Sequence, residues 1–256
     1  MPKKTRTLVV GDLHTKLPIL EKVIKMSKDY DKAIFLGDYV DEWGTPAIYS
    51  ANLLTKLIEF KKANPQKVVL LLGNHCMSEW QAGVFKCSGF DIETHDSVYS
   101  LYQDNEQYFQ IAYAQDGILF THAGLTKGWC KDNGIPTNLS AQDYADMLNL
   151  ALAKRQERRY SPLFNALSTV GPCRGGWHSP SPLWADEQEL RQDLVEIEQV
   201  VGHTPQRHIL IIDIPLQPKH AFCDTFSLCL DFSPYGDQGL LEIDGKEWKE
   251  IPLCED

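Results

Sequence analysis

Five short polar segments each follow an apolar run: Gly11-Asp12-Leu13-His14, Gly37-Asp38-Tyr39-Val40-Asp41, Gly73-Asn74-His75, Thr121-His122-Ala123-Gly124 and Gly202-His203-Thr204. Between them they carry Asp12, His14, Asp38, Asp41, Asn74, His75, His122 and His203, residues able to bind cations or move protons. The remaining histidines, His95, His178, His208 and His220, lie outside such segments. Asp12 and His14 are two positions apart, so they can point the same way from extended backbone. A carboxylate with an imidazole is a transition-metal ligand pair. Asp38 is a second carboxylate, able to bridge two cations roughly 3.5–4 Å apart. Asn74 adds a neutral carbonyl oxygen, and His122 and His203 add imidazoles. The types therefore suit two cation sites, one of Asp12, His14 and Asp38, the other of Asp38, Asn74, His122 and His203. Taken singly, each fragment also reads as a turn, because Gly, Asn and Asp favour turns.

The elements that must hold these residues follow from the hydrophobic pattern. Residues 6–10 read as a strand, 17–29 as a helix with Leu17, Leu20, Val23, Ile24 and Met26 at helical spacing, and 33–36 as a strand. A helix opening near Pro46 presents Leu53, Leu54, Leu57 and Ile58 on one face, and 68–72 is a third strand. A β-α-β-α-β order with continuously apolar strands predicts parallel strands buried on both faces. Parallel strands put their carboxyl ends along one edge, where ligands bind. Asp12, Asp38 and Asn74 should then lie side by side, and a glycine before each permits close backbone approach.

The second half reads as a helix near 95–107, strands in YFQIAYAQ and GILFT, a helix over 140–153 with Ser140 as N-cap, and a helix through DEQELRQDLVEIE. Strands are expected in QVV, HILIID, AFCDTFSLCL, GLLEI and EWKEI, the last two joined by a hairpin at Asp244-Gly245. The stretch at about 155–187 is irregular and rich in Pro and Gly, the signature of a lid or binding loop. One domain spanning residues 1–256, with two packed sheets, is the simplest organisation.

Composition narrows the partners. The chain has 256 residues, 43% apolar and 23% charged, with a net charge of −10. No block of Lys and Arg marks a groove for duplex nucleic acid, whereas metal ions would let an acidic protein bind phosphate. No apolar run approaches the ~20 residues a spanning helix needs, and the N-terminal run before Gly11 is too short for a signal peptide. The seven cysteines are scattered without a CxxC pair. They read as reduced packing groups in a cytoplasmic protein.

As an ordered set, GDLH, GDYVD, GNH, HAG and GHT resemble the signature of the calcineurin-like metallophosphoesterases, close to bacterial and phage relatives of the phosphoprotein phosphatases and dinucleoside tetraphosphatases. The match runs from Asp12 to His203, and CLD…YGDQGLLEIDG resembles the closing strands. The resemblance implies an α/β fold, a four-layer sandwich of two mixed β-sheets flanked by helices. It implies two divalent ions, manganese first with iron or zinc as alternatives, and a hydroxide between them that attacks phosphorus. It implies that His75 is not a ligand but the general acid, oriented by Asp41.

The sequence also departs from that pattern. Glu42 stands where an arginine follows GDxVD, Leu72 and Cys76 flank GNH, and Thr15 follows GDLH. Two arginines that would grip a phosphoryl group are therefore missing from their expected places. Arg174 in CRGGW is the leading replacement, arginine being the preferred bidentate phosphate partner, with Arg155, Arg158 and Arg159 behind it. Trp80, Trp177 and Trp184 could stack on a substrate ring or simply pack. The expected activity is hydrolysis of a phosphomonoester on a small molecule, nucleotide or phosphoprotein. A phosphodiesterase or dinucleoside polyphosphate hydrolase is the alternative, and a non-catalytic metal-binding module the third reading.

Overall fold

The structure is a computed structural model that describes residues 5–81, 85, 87, 90–227 and 238–253. Strand and helix alternate at the start of the chain as the apolar pattern requires: β1 (Arg6–Val10), α1 (Leu17–Met26), β2 (Lys32–Phe35), α2 (Ala47–Ala63) and β3 (Val68–Leu71). β1 pairs with β2, and β2 with β3, in parallel. Successive strand residues point to opposite faces, so one alternate set, Leu8, Val10, Phe35 and Leu70, packs in the core that includes Leu20 and Val23 of α1 and Leu53 and Leu57 of α2. The other set, Val9, Ile34, Val69 and Leu71, packs against a second sheet through Phe120, Val200 and Ala221. Both faces of these strands are thus buried, as all-apolar parallel strands demand.

The remaining elements are α3 (Asn74–Trp80), α4 (Ile92–Asp104), β4 (Phe109–Gln110), β5 (Ala112–Gln115), β6 (Ile118–Thr121), α5 (Lys127–Asp132), α6 (Ala141–Gln156), α7 (Pro162–Ala166), α8 (Glu187–Gln192), β7 (Glu198–Val201), β8 (Leu210–Ile212), β9 (His220–Phe222), β10 (Gly239–Asp244) and β11 (Glu247–Pro252). The first sheet runs β11-β10-β1-β2-β3-β4 and the second β5-β6-β7-β9-β8. Both mix parallel and antiparallel pairs. Two mixed sheets face each other with helices outside, so the expected sandwich is what forms. Leu190 of α8 packs on Val201 and Phe222 of the second sheet's outer face.

Local rules hold in several places. Ser140 caps α6 in a reciprocal capping box with Asp143. Gly245, at φ 61°, closes the β10–β11 hairpin. Elsewhere tertiary bonds override the pattern. The helix expected through residues 186–198 stops at Gln192. Asp193 instead accepts the Lys127 N–H through its carbonyl (2.7 Å) and the Gly128 N–H through its carboxylate (2.6 Å), and Leu194 bridges Thr126. The GNH segment, expected as a turn, opens α3. The irregular stretch at 155–187 contains α7 and a 3₁₀ turn at Pro172–Arg174. The strand expected in AFCDTFSLCL opens one residue earlier, at His220, and β9 ends at Phe222. Part of the expected closing strands, residues 228–237, lies outside the described residues, as do Cys229 and Cys254. Cys76, Cys87, Cys130 and Cys223 are buried free thiols, whereas Cys173 is exposed. Among the described residues no helix is long and apolar enough to cross a membrane.

Candidate metal centre and catalytic cleft

The five polar segments leave the carboxyl ends of β1, β2 and β3 in one sheet and of β6 and β7 in the other. Five residues in them or next to them adopt positive φ: His14 (36°), Thr15 (63°), Asp38 (46°), Asp41 (63°) and His203 (65°). Non-glycine residues rarely do so, and such conformations gather where function over-determines the backbone. Gly73 is a glycine for a second reason. A Cβ there would sit 2.2 Å from Asp38 Oδ1 and 2.7 Å from His122 Cε1.

Hydrogen bonds to carbonyls fix two imidazole tautomers. His122 Nδ1 lies 3.0 Å from the Leu36 carbonyl, which can only accept, so Nδ1 carries the proton and Nε2 a lone pair. That lone pair faces Asp38 Oδ2 at 3.2 Å, Asn74 Oδ1 at 2.8 Å and His203 Nδ1 at 3.1 Å. Asn74 Nδ2 is engaged with Cys87 Sγ, which directs the Asn74 oxygen inward. With the His203 proton on Nε2, electron-rich atoms from four residues converge. A cation at their focus removes the repulsion and satisfies all four, so these residues fit a metal ion.

Asp12, His14 and Asp38 form an adjoining group, and Asp38 belongs to both. His14 Nδ1 donates to the carbonyl of Asp41 (2.6 Å), which leaves Nε2 unprotonated. Asp12 accepts the His203 N–H at 3.0 Å, and Asp38 accepts the His75 N–H at 2.9 Å. Burial raises the Asp12 pKa well above the usual carboxylate range, and the charges of Asp224 and Asp38 add to the rise. Burial also acts upward on Asp38, but the interactions with the neighbouring His122 and His75 rings outweigh it and the net shift is downward. Burial lowers the pKa of His14 and His203, helped by His75 and His122 respectively. Neutral imidazoles and carboxylates are the ligating forms.

His75 stands on the lip of this cluster with its ring edge-on to His14, the centroids 5.1 Å apart. Its Nδ1 lies 3.2 Å from Asp41 Oδ2. Burial alone would lower the His75 pKa, but the charge of Asp38 and the bond to Asp41 raise it overall. Arg174 reaches the same cleft of about 300 Å³, which Trp43, Trp184, Glu42 and His203 also line. Its Nε pairs with Asp186 at 3.1 Å, while Nη2 has only long contacts of 3.4 Å with the His203 carbonyl and Thr204. The structure thus brings Asp12, His14, Asp38, Asp41, Asn74, His75, His122, His203 and Arg174 together.

The other arginines fall elsewhere. Arg155 donates to Gln81, and Arg159 pairs with Glu157 at the exposed end of α6. Arg158, at φ 57°, follows the C-terminus of α6 and is not among the cleft-lining residues. Trp80 stacks on Tyr102 in the core, and Trp177 is exposed; of the three, Trp184 is the one lining the cleft, edge-on to His203. Sequence reasoning missed Asp224, a fully buried carboxylate just past β9 that interacts electrostatically with Asp12 and His14. It missed Asp186, which holds Arg174, and Lys16, whose ammonium pairs with Glu42 at 2.5 Å. Asp224 follows an apolar strand as the other acids do, but no glycine marks it.

Comparison with known proteins follows the same lines. The family model for calcineurin-like phosphoesterases matches residues 5–209. A predicted serine/threonine-protein phosphatase of Schizosaccharomyces pombe is 29% identical over 130 residues, 48% of this chain and 40% of that protein. The serine/threonine-protein phosphatase 6 catalytic subunit of Drosophila melanogaster is 32% identical over 77 residues, 29% of this chain and 24% of that protein. The matched segments are thus less than half the length of either relative. Among solved structures, a point mutant of a cold-active protein tyrosine phosphatase superposes with a TM-score of 0.62 at 18% identity, covering 97% of this chain and 78% of that one. The cold-active protein-tyrosine phosphatase of a psychrophilic Shewanella species gives 0.58 at 16%, with the same coverage. At those identities the likeness speaks for the fold. With the family model spanning four-fifths of its length and every polar segment of that model's region gathered at one cleft, the chain belongs to the calcineurin-like phosphoesterase family.

Proposed function

We propose that the chain is a metal-dependent phosphatase that hydrolyses phosphomonoesters. The observation that carries this reading is the cluster of mutually facing acceptors at Asp38, Asn74, His122 and His203, with an acid–carboxylate pair on its lip and one guanidinium opposite. Asp12, His14 and Asp38 would hold one divalent ion, and Asp38, Asn74, His122 and His203 a second. Manganese is the first candidate, then iron or zinc. When bound, such ions acidify a water and neutralise charge on a phosphoryl group.

The chain's own residues do the rest. Arg174, steadied by Asp186, offers its terminal N–H groups to two phosphoryl oxygens. His75 donates a proton to the departing oxygen. Asp41 holds its Nδ1–H, so that the ring presents Nε2 to the substrate and the imidazolium is stabilised. A raised His75 pKa keeps it protonated near neutrality, as a general acid requires. The 3.2 Å spacing to Asp41 is long, and such bonds commonly tighten with substrate present. Phosphorylated small molecules, nucleotides and phosphoproteins are all candidate substrates. The same reading treats residues 1–256 as one domain acting in the cytoplasm.

A second reading, phosphodiester or phosphoanhydride hydrolysis, draws support from charge. Among the described residues Arg174 is the only guanidinium lining the cleft, and Glu42 shares the rim. A monoester dianion gains more from a second cation than a diester monoanion does. The test is a paired assay in Mn²⁺ with nitrophenyl phosphate and bis(nitrophenyl) phosphate, with Asp38→Asn as control. Monoester turnover abolished in the variant supports the first reading and diester preference the second. No turnover of either by metal-loaded protein removes both.

A further inference from the structure

Behind Asp41 lies a second carboxyl group that the site has not used. Glu79, in the last turn of α3, is fully buried. Neither of its carboxyl oxygens has a hydrogen-bond partner, and Asp41 Oδ1, the oxygen not facing His75, has none either. The Glu79 carboxyl group interacts electrostatically with Asp41 and with Asp91 and its backbone N–H, without a formed hydrogen bond to either. His95 spends its Nδ1–H on the Glu79 carbonyl at 2.5 Å and leaves Glu79 Oε2 at 3.7 Å. The titratable groups facing Glu79 are therefore Asp41 from the loop after β2, Asp91 at the start of α4, and His95 within α4. Two buried carboxylates side by side, both ionised, would leave three acceptor oxygens without donors and one negative charge without a partner. His75 can balance only one. A buried unpaired charge is costly, and a proton removes it.

We propose that Glu79 is a positioning residue that keeps one proton between its carboxyl group and Asp41 Oδ1, fixing Asp41 against His75. The proton turns Glu79 into a donor and supplies the missing partner of Asp41. The electrostatics agree: burial first, then the Asp41 charge and the hydrogen bond the proton would make to Asp41, push the Glu79 pKa up to about 9. The catalytic half of this inference rests on the reading of His75 and Asp41 as the acid pair; the proton itself does not.

Two measurements on the Mn²⁺-loaded protein test it. The first is equilibrium unfolding of wild type and Glu79→Gln from pH 5 to 8. A folded pKa above the unfolded one means that stability is fully present below about 4.5 and is lost as pH rises toward 9. Glutamine has no such dependence, so the folding constant of the variant relative to wild type should rise about tenfold per pH unit. A ratio that does not change with pH means an ionised Glu79 and overturns the inference.

The second is steady-state kinetics on an alkyl phosphate. Glu79→Ala should lower kcat about tenfold with KM within about twofold, and Glu79→Gln, which keeps a donor, should recover most of the loss. A glutamine variant as impaired as the alanine variant overturns the positioning role. The pH-dependent ratio in a protein that turns over no ester would support the proton while overturning the catalytic reading.

Discussion

Replacing Gly73 by alanine isolates the geometry of the shared carboxylate. Gly73 has φ −100° and ψ −178°, which alanine adopts freely, so the backbone bears no cost. The added methyl group would lie 2.2 Å from Asp38 Oδ1 and 2.7 Å from His122 Cε1, against ordinary contacts that begin at 3.4 Å. Asp38 must therefore retreat by about 1 Å, as judged against normal packing distances. It cannot do so and keep both the 2.9 Å bond from the His75 N–H and the 3.2 Å approach to His122 Nε2. Because Asp38 belongs to both ligand groups, both should loosen together. The expected results are a roughly 10–100-fold loss of Mn²⁺ affinity by calorimetric titration and a fall of about 10² in kcat/KM on nitrophenyl phosphate. Circular dichroism should remain that of the wild type. A variant with Mn²⁺ affinity and kcat/KM within threefold of wild type would refute the steric argument and the ligand assignment with it.

Other expectations follow from single contacts. Asp186→Asn keeps a helix cap for α8 but releases Arg174, so KM should rise about fivefold with kcat little changed; a kcat effect without a KM effect would contradict a binding role. His75→Gln should cost about 10²–10³ on an alkyl phosphate and less than tenfold on nitrophenyl phosphate, whose leaving group needs no proton. Equal losses on the two would rule out a general acid. In the wild type the alkyl-ester rate should persist above pH 6.5 and decline as His75 loses its proton, a limb missing in the variant. Glu242 is buried, and burial acts upward on its pKa, but bonds from Lys249, Tyr30 and Arg6 hold it near about 2. A depressed folded pKa stabilises above the unfolded value of 4.5 and is lost as pH falls through about 2. Glu242→Gln should thus cost about 3 kcal/mol at pH 7 in urea unfolding, with the difference closing below pH 3. A constant difference would show packing, not charge, at work.

The cluster of candidate ligands was legible because its chemistry and its architecture share one signal. Each candidate ligand follows an apolar run, and parallel strands deliver such positions to one edge. Arg174 was nameable by type, but only Asp186 aims it, and nothing in SPLWAD announces that pairing. The helix through residues 186–198 failed because its periodicity is real but weaker than the bonds Asp193 makes to Lys127 and Gly128. Asp224 and Glu79 escaped notice for a common reason. Their meaning lies in which carboxylates they face across the fold, and charge proximity between distant segments has no local pattern to read.

Candidate ligands drawn from two sheets have a mechanical consequence. Asp12, His14, Asp38 and Asn74 extend from one sheet, and His122 and His203 from the other, across an interface with a large apolar cluster and few polar ties such as the Gln115–Thr7 bond. Greasy faces tolerate sliding, since dispersion has little direction. Coordination does not, because its distances and angles are narrow. An ion held there would act as a clasp against shear, locking the registry of the two layers. The two layers would then unfold as one unit, and any disturbance that slid them by a fraction of a strand spacing would register first as loss of the metal.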